Sequence, residues 1–223
     1  MGGVLSHKEA RAFYDRFGAK QDLQSFYEDP AVERLIAHAD FANASAVVEL
    51  GCGTGRHAER LLRAVLPASA TYAGFDASET MVALAQNRLG PYSNRARVYL
   101  TDGSLKLPMA DRSCDRFLST YVLDLLSEED IRTVLGEARR VLAPGGRLCL
   151  VSLTFGETPV SRLLCRVWMG LHSVRPQLVG GCRPLHLQPF LKASWELIHH
   201  EVVCTLGVCS EALVASPLES SMR

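Results

Sequence analysis

The sequence predicts an α/β protein: a mostly parallel sheet with helices on both faces, closed by an antiparallel hairpin. Three observations carry this prediction. In Val47 to Arg56, VVELGCGTGR, an apolar run stops at an acidic residue and glycines on alternate positions, and a helical pattern follows. Two further apolar bursts, Thr71 to Phe75 and Val98 to Leu100, run into Asp76 and Thr101-Asp102 with helical periodicity between them, and alternation of this kind builds parallel sheets. The last two apolar stretches, Trp195 to Val203 and Cys204 to Val214, follow one another with no intervening helix, as an antiparallel pair does.

At 223 residues, 48% hydrophobic and 22% charged, the chain fits one domain, 1–223, with a core of ordinary size. Twenty-four basic residues balance 24 acidic ones. Such a balance gives no long-range field to gather nucleic acid or an anionic membrane, although a local patch still can, so a small-molecule acceptor is favoured over nucleic acid. The start, MGGVLSHKEAR, lacks the charged and apolar regions of a secretory signal. Its first six residues match the loose N-myristoylation pattern at Gly2 and Ser6, which an ordinary start matches equally well. No stretch is long and apolar enough to span a membrane, which leaves peripheral contact as the only membrane role. The seven cysteines (52, 114, 149, 165, 182, 204, 209) include no C-x-x-C pair. They read as reduced thiols of a cytoplasmic protein, with no disulfide frame and no metal site. Adjacent His199 and His200 would face opposite ways in a strand, a poor ligand pair.

Taken in order, residues 6 to 29 read as one or two helices, with Ser6 and Glu9 spaced as a capping box. Ala10, Phe13, Tyr14 and Phe17 fall at helical spacing. Val32 to Asp40 is a further amphipathic helix. Val47, Val48 and Leu50 form a buried strand, and Gly51, Gly53 and Gly55 a turn whose backbone can approach a ligand closely. His57 to Val65 then begins a helix whose free N–H groups point back over the glycines. After the second strand Ser78 caps a helix, Glu79 to Leu89. A fourth strand, Arg116 to Thr120, precedes a helix capped by Ser127, Glu128 to Leu142, and a fifth strand, Leu148 to Leu153, follows the Pro144-Gly145-Gly146 turn. Ser161 to His172 is apolar on nearly every side, and Pro176 to Pro189 carries few strand or helix signals, a type of segment that tends to be functional. Arg175, Arg183 and His186 there fit either an anionic or carbonyl partner or a solvated loop. The tail after Ser216 reads as disordered.

The glycine spacing narrows the ligand. A dinucleotide fingerprint needs a third glycine where Arg56 stands, and no Gly-Lys-Ser/Thr ending is present for a phosphate loop. The remaining pattern, E-x-G-x-G-x-G after an apolar strand, resembles motif I of the class I S-adenosylmethionine-dependent methyltransferases. Further landmarks agree: Asp76 about twenty residues on, Asp102-Gly103, the run Leu107 to Asp115, and R-V-L-A-P-G-G-R-L before the fifth strand. The resemblance covers roughly residues 10 to 155, and its nearest flavour is the ubiquinone- and menaquinone-biosynthesis group.

The resemblance implies a Rossmann-like, seven-stranded sheet and S-adenosylmethionine as cofactor. By it, Gly51, Gly53 and Gly55 lie beside the amino-acid end of the cofactor, and Glu49 holds the cofactor's amino group or the loop. Asp76 accepts from both ribose hydroxyls, with Ala77 and Met81 against the nucleoside. Asp102 meets the exocyclic amine of adenine, and Gly103 a ring nitrogen. Thr120 ends the fourth strand over the methyl group, where Tyr121 and Asp124 are candidate contacts. Residues 1–40 would form a helical lid that includes Tyr14, although the second tyrosine of the lid pattern is replaced by Gln21-Asp22. Residues 154–192 would form the acceptor-side insert. No side chain is assigned as catalytic, because aligning a methyl transfer requires no base, and the histidine many relatives carry near Asp124 is absent. The expected reaction is methyl transfer to a small, lipophilic acceptor. The alternatives are a non-catalytic S-adenosylmethionine-binding or scaffold protein and, disfavoured by Arg56, a nicotinamide oxidoreductase.

Overall fold

The computed structural model describes residues 4–191 and 194–218, so Gly2 of the acylation pattern lies outside the described residues. Its strands are β1 (Ala46–Leu50), β2 (Thr71–Asp76), β3 (Ala96–Leu100), β4 (Cys114–Thr120), β5 (Leu142–Thr154), β6 (Trp195–Thr205) and β7 (Val208–Pro217). They form one sheet in the order β3-β2-β1-β4-β5-β7-β6. β1 to β5 pair in parallel, and β7 runs antiparallel to both β5 and β6. The predicted fold class is the observed one. After β3 the chain crosses to the other side of β1, so the order reverses between β1 and β4. Open α/β sheets bind ligands outside the carboxyl ends of the strands at such a reversal.

Side-chain alternation explains why helices cover both faces. Val47, Leu118 and Cys149 join one buried cluster with α2 (Ser25–Ala39), α3 (Arg56–Ala64) and α4 (Glu79–Arg88). Their chain neighbours Val48, Phe117 and Leu148 join the other cluster, with Ile131, Val134 and Ala138 of α5 (Glu128–Val141). The caps read from sequence are present. Ser6 and Glu9 close a reciprocal capping box on α1 (His7–Phe17), and Ser78 and Ser127 accept N–H groups in the first turns of α4 and α5. α5 also sets three acids in its first turn and Arg139 and Arg140 in its last, matched to the helix dipole.

Several boundaries differ from expectation. α2 starts at Ser25, ahead of the expected Val32, and carries Pro30 within it, in its second turn. The irregular segment 176–189 contains a 3-10 turn, Pro176–Val179, and opens into the short α7, Gln188–Leu191. The hairpin turns at Leu206 and Gly207, both with positive φ (51° and 86°), a two-residue turn that suits the twist of paired strands. That turn places Cys204 opposite Cys209, and the two form a disulfide with Cα atoms 4.0 Å apart. The reading of all seven cysteines as reduced thiols is therefore corrected: a two-residue turn at 206–207 makes this pair direct cross-strand neighbours. Among the described residues no helix is long and apolar enough to cross a membrane.

Candidate active site

The loops after β1 and β4 face each other across the reversal point. Gly51, at φ +72°, is packed so closely that a Cβ there would lie 2.2 Å from Val122 Cγ2. Only hydrogen fits between the glycine turn and the segment following β4. Tyr121, next to Val122, holds a positive φ of 56°, an uncommon conformation for a bulky residue and one that collects at functional sites. Its hydroxyl donates to Ser210 at 2.9 Å, and its ring stands edge-on to Tyr27. An open cleft of about 890 Å³ lies above, between Gly51, Gly53, Asp76 and Met81 on one side and Thr120 and Val122 on the other.

Asp76 ends β2 at the cleft wall. Its Oδ2 accepts the Gly53 N–H and its Oδ1 the Ser78 N–H, each at 2.9 Å. Burial pushes its pKa up, while the backbone donors Ser78, Gly53 and Ala77 pull the other way. A carboxylate accepts about four hydrogen bonds, so with these three backbone donors Asp76 still has capacity for a hydroxyl donor in the cleft. That donor set fits the ribose of the cofactor implied by the sequence motif, and the glycine turn supplies a cradle that a Cβ would fill.

The predicted residues divide in two. Tyr14, Gly51, Gly53, Asp76, Ala77, Met81, Gly103 and Thr120 all line the cleft. Glu49, Gly55 and Asp102 do not. Glu49 is 1% exposed beneath the turn and accepts the Tyr72 hydroxyl at 2.5 Å; burial pushes its carboxyl up to about 7, against the pull of Tyr72. Its hydrogen-bond partner is thus on β2 and not in the glycine turn. Gly55 starts α3 at φ +75°, where a Cβ would press on Ala85 of α4 at 3.1 Å, so it serves helix packing. The exposed Asp102 accepts its own turn's Ser104 N–H at 2.8 Å, and its neighbours Thr101, Gly103 and Ser104 form the wall there.

Sequence reading missed how the N-terminal segment is attached. Asp15 accepts the Ser78 hydroxyl at 2.6 Å, and Arg11 pairs with Glu79 at 2.5 Å, fixing α1 to the start of α4. In the following 3-10 segment, Gly18–Gln24, Asp22 accepts the Thr54 hydroxyl at 2.7 Å and pairs with Arg88 at 2.6 Å. Gln21 lies over Gly53, and its buried Oε1 has no hydrogen-bond partner among the described residues. The Gln21-Asp22 pair, which departs from the tyrosine pattern, thus ties the segment to the glycine turn. Arg56, the residue that breaks the dinucleotide pattern, is turned away to Glu28 at 3.0 Å and to Asp29.

Asp124 lies just outside the cleft, fully buried. Its Oδ2 accepts the Leu153 N–H at 3.3 Å, its Oδ1 has no partner among the described residues, and burial pushes its pKa up to about 7. Tyr14, a wall of the cleft, touches Cys182 at 3.8 Å. Arg183 donates to the Leu126 carbonyl at 2.7 Å, and the His186 ring lies tilted 5.0 Å from Phe155, so both serve loop structure. His38, His199 and Glu201 bring ligand atoms within 4.8 Å of one another. The two rings, however, are stacked 3.5 Å apart and parallel, and Arg34 holds both carboxylate oxygens of Glu201. Parallel rings aim their lone pairs side by side, so this trio matches no tetrahedral ligand set.

A protein-family profile described as "Methyltransferase domain" matches residues 47–146, the span from the glycine turn to the Pro-Gly-Gly turn. The malonyl-[acyl-carrier protein] O-methyltransferase of Marinomonas sp. is 31% identical over 75% of this chain and 59% of its own length. The demethylmenaquinone methyltransferase of Thermotoga maritima is 32% identical over 69% of this chain and 65% of its own length. The chain thus spans about three-fifths of the curated relatives it matches. Among solved structures, the complex between the Haloferax volcanii Trm112 methyltransferase activator and a putative methyltransferase contains a chain that superposes with a TM-score of 0.72 at 16% identity, covering 96% of this chain and 100% of that one. This last likeness concerns the fold alone.

Proposed function

We propose that this chain, which belongs to the class I S-adenosylmethionine-dependent methyltransferases, transfers the cofactor's methyl group to a small, lipophilic acceptor. The observation that carries the reading is Asp76. It ends β2 beside the glycine turn and lines the cleft, a carboxylate braced by backbone N–H groups where ribose hydroxyls would donate.

When bound, S-adenosylmethionine supplies an electrophilic methyl on a sulfonium, displaced in line by the acceptor. The chain's own task is placement in a dry site. In this reading Gly51 and Gly53, whose N–H groups bond the Phe75 carbonyl and Asp76, let the backbone come close to the amino-acid end because no Cβ intervenes, with Gln21 above them. Ala77, Met81 and Gly103 flank the nucleoside, Thr120 marks the methyl side, and Tyr14 closes the top. Residues 1–40 act as the lid, latched by Asp15 and Asp22. Residues 154–192 pack behind the acceptor side, with Gly181 against Leu5 and Leu125, and none of the described residues among them lines the cleft itself. The apolar rim of Leu5, Val122, Leu125 and Leu126 favours a lipophilic acceptor such as a quinol or lipid, in keeping with the quinone-biosynthesis flavour of the motifs. No base is invoked, because aligning acceptor, methyl carbon and sulfur for an in-line transfer requires none. We place the protein in the cytoplasm, a reading the free thiols of Cys52, Cys114 and Cys149 support. The test is a labelled-methyl screen across quinol, phenol, amine and lipid acceptors. Transfer to the quinol or lipid class is the expected result, and absence of transfer to every class would move the reading to a non-catalytic binding protein.

A further inference from the structure

The helix α6 (Pro159–Val174) is built inside out. The side it turns to the protein carries Ser161 and His172, both buried, with half-buried Cys165 and Trp168 between them. Ser161 bonds Thr158, the Trp168 indole N–H donates to the Cys182 carbonyl at 2.8 Å, and His172 meets the Gly181 carbonyl at 3.2 Å. Its solvent side is Val160, Leu163, Leu164, Val167, Leu171 and Val174, all exposed; Leu163 is 62%, Val167 53% and Val174 79% accessible. At a helical step these six fall in an arc of about 100°. The hairpin tip extends the patch. A Cβ on Gly207 would touch Leu164 and Val160, and the adjoining Leu206 is 81% exposed. An apolar stripe of this extent, facing outward from a helix whose inner face sets Ser161 and His172 beside a Trp168 packed on the core, marks a surface that meets another phase or partner.

The charges say which. The charged side chains of α6 are two arginines, Arg162 and Arg166; Arg175 follows at the C-cap and Glu157 precedes the N-cap. All three arginines are exposed, and none forms an ion pair among the described residues. Arg16, Arg63, Arg97 and Arg112 are likewise exposed and form no ion pair among the described residues, so what sets the α6 arginines apart is their place on the helix that carries the apolar stripe. An apolar stripe flanked by unneutralised arginines on a helix of 16 residues, about 24 Å long, has the make-up of an interfacial helix lying in the headgroup layer. We infer that α6 and the Leu206 tip form a docking face for an anionic lipid surface. The chain's zero net charge does not oppose this, because the attraction is local and acts within a Debye length.

The inference goes beyond the methyl-transfer reading and stands without it, since binding to lipid is measured with no cofactor or acceptor present. The full chain is cosedimented with vesicles of phosphatidylcholine and of phosphatidylcholine mixed with phosphatidylglycerol. Binding to the mixed vesicles and weaker binding to the neutral ones is expected. Val167→Glu should weaken partition at least about tenfold on both. Arg162→Gln and Arg166→Gln should each weaken it about fivefold on the anionic vesicles only. None of these residues lines the cleft, so melting temperature and S-adenosylhomocysteine binding serve as controls that should stay unchanged. Absence of the wild-type chain from both pellets would overturn the inference, as would partition unaffected by Val167→Glu. A dimer in light scattering that Val167→Glu dissolves, or an acidic protein bound by the wild type while vesicles are not, would also overturn it and assign the face to that partner.

Discussion

Asp76 holds the Gly53 N–H at 2.9 Å, so the end of β2 fixes the turn that follows β1. The carboxylate that would receive the ribose is therefore also the brace of the glycine cradle. Asp76→Ala removes two charge-assisted acceptors, each worth about 1.5–3 kcal/mol, and should cut S-adenosylhomocysteine affinity about a hundredfold or more by calorimetry. Asp76→Asn, which keeps one acceptor oxygen, should fall between. Undiminished affinity in the alanine variant would refute the ribose assignment.

Gly51 and Val122 form a second coupled pair across the reversal point. Gly51→Ala forces a Cβ to within 2.2 Å of Val122 Cγ2 at a φ of +72°. The variant should unfold with about 1–3 kcal/mol less stability and bind the cofactor weakly. Adding Val122→Ala should return the clash part of that loss and leave the dihedral part. Equal stability of the single and double variants in denaturant melts would show that no contact couples the two loops.

How much of this was legible in the sequence depends on how local each interaction is. The strands, the glycine turn and Asp76 could be read because an apolar run, its acidic end and the turn residues are contiguous. The caps at Ser6, Ser78 and Ser127 lie within one turn of their partners. Glu49 was legible as a buried acid, but its partner Tyr72 is 23 residues away, so nothing local separated a ligand role from a structural one. Asp22 meets Thr54 and Arg88 across 32 and 66 positions, beyond any pattern. At Asp102 the sequence alone does not separate a side chain that faces a ligand from one that closes its own turn on Ser104. Cys204 and Cys209 were readable in principle, but only once the turn is set at Leu206-Gly207 and not one pair earlier. The apolar run of α6 was plain, whereas its outward orientation is a tertiary fact.

Glu49 gives a pH prediction with a defined sign. Burial raises its carboxyl from 4.5 to about 7, opposed by the Tyr72 hydrogen bond. The folded chain holds this proton more tightly than the unfolded one. The stability it contributes is complete below 4.5 and is lost as pH rises through about 7. Glu49→Gln keeps an acceptor for Tyr72 and carries no charge, so relative to the parent it should gain about 3 kcal/mol between the two ends of that window. His57, pushed down to about 4 by burial, shifts stability in the opposite direction but cancels in the comparison. Parallel stability curves for parent and variant would contradict the assignment.

The Asp22 latch predicts a kinetic effect. Its bonds to Thr54 and Arg88 fasten the segment carrying Gln21 over Gly53. Asp22→Ala should speed dissociation of S-adenosylhomocysteine about tenfold in stopped-flow displacement, and should quicken proteolytic cleavage within residues 7–24. Unchanged dissociation and cleavage would mean that the N-terminal segment does not gate the cleft.

The central claim is that the cleft between the β1 and β4 loops is built for S-adenosylmethionine and not for a dinucleotide. Titration calorimetry of the full chain with S-adenosylhomocysteine and, in parallel, with NAD tests it most directly. The account predicts micromolar binding of S-adenosylhomocysteine and no heat from NAD; binding of NAD with no response to S-adenosylhomocysteine would contradict it.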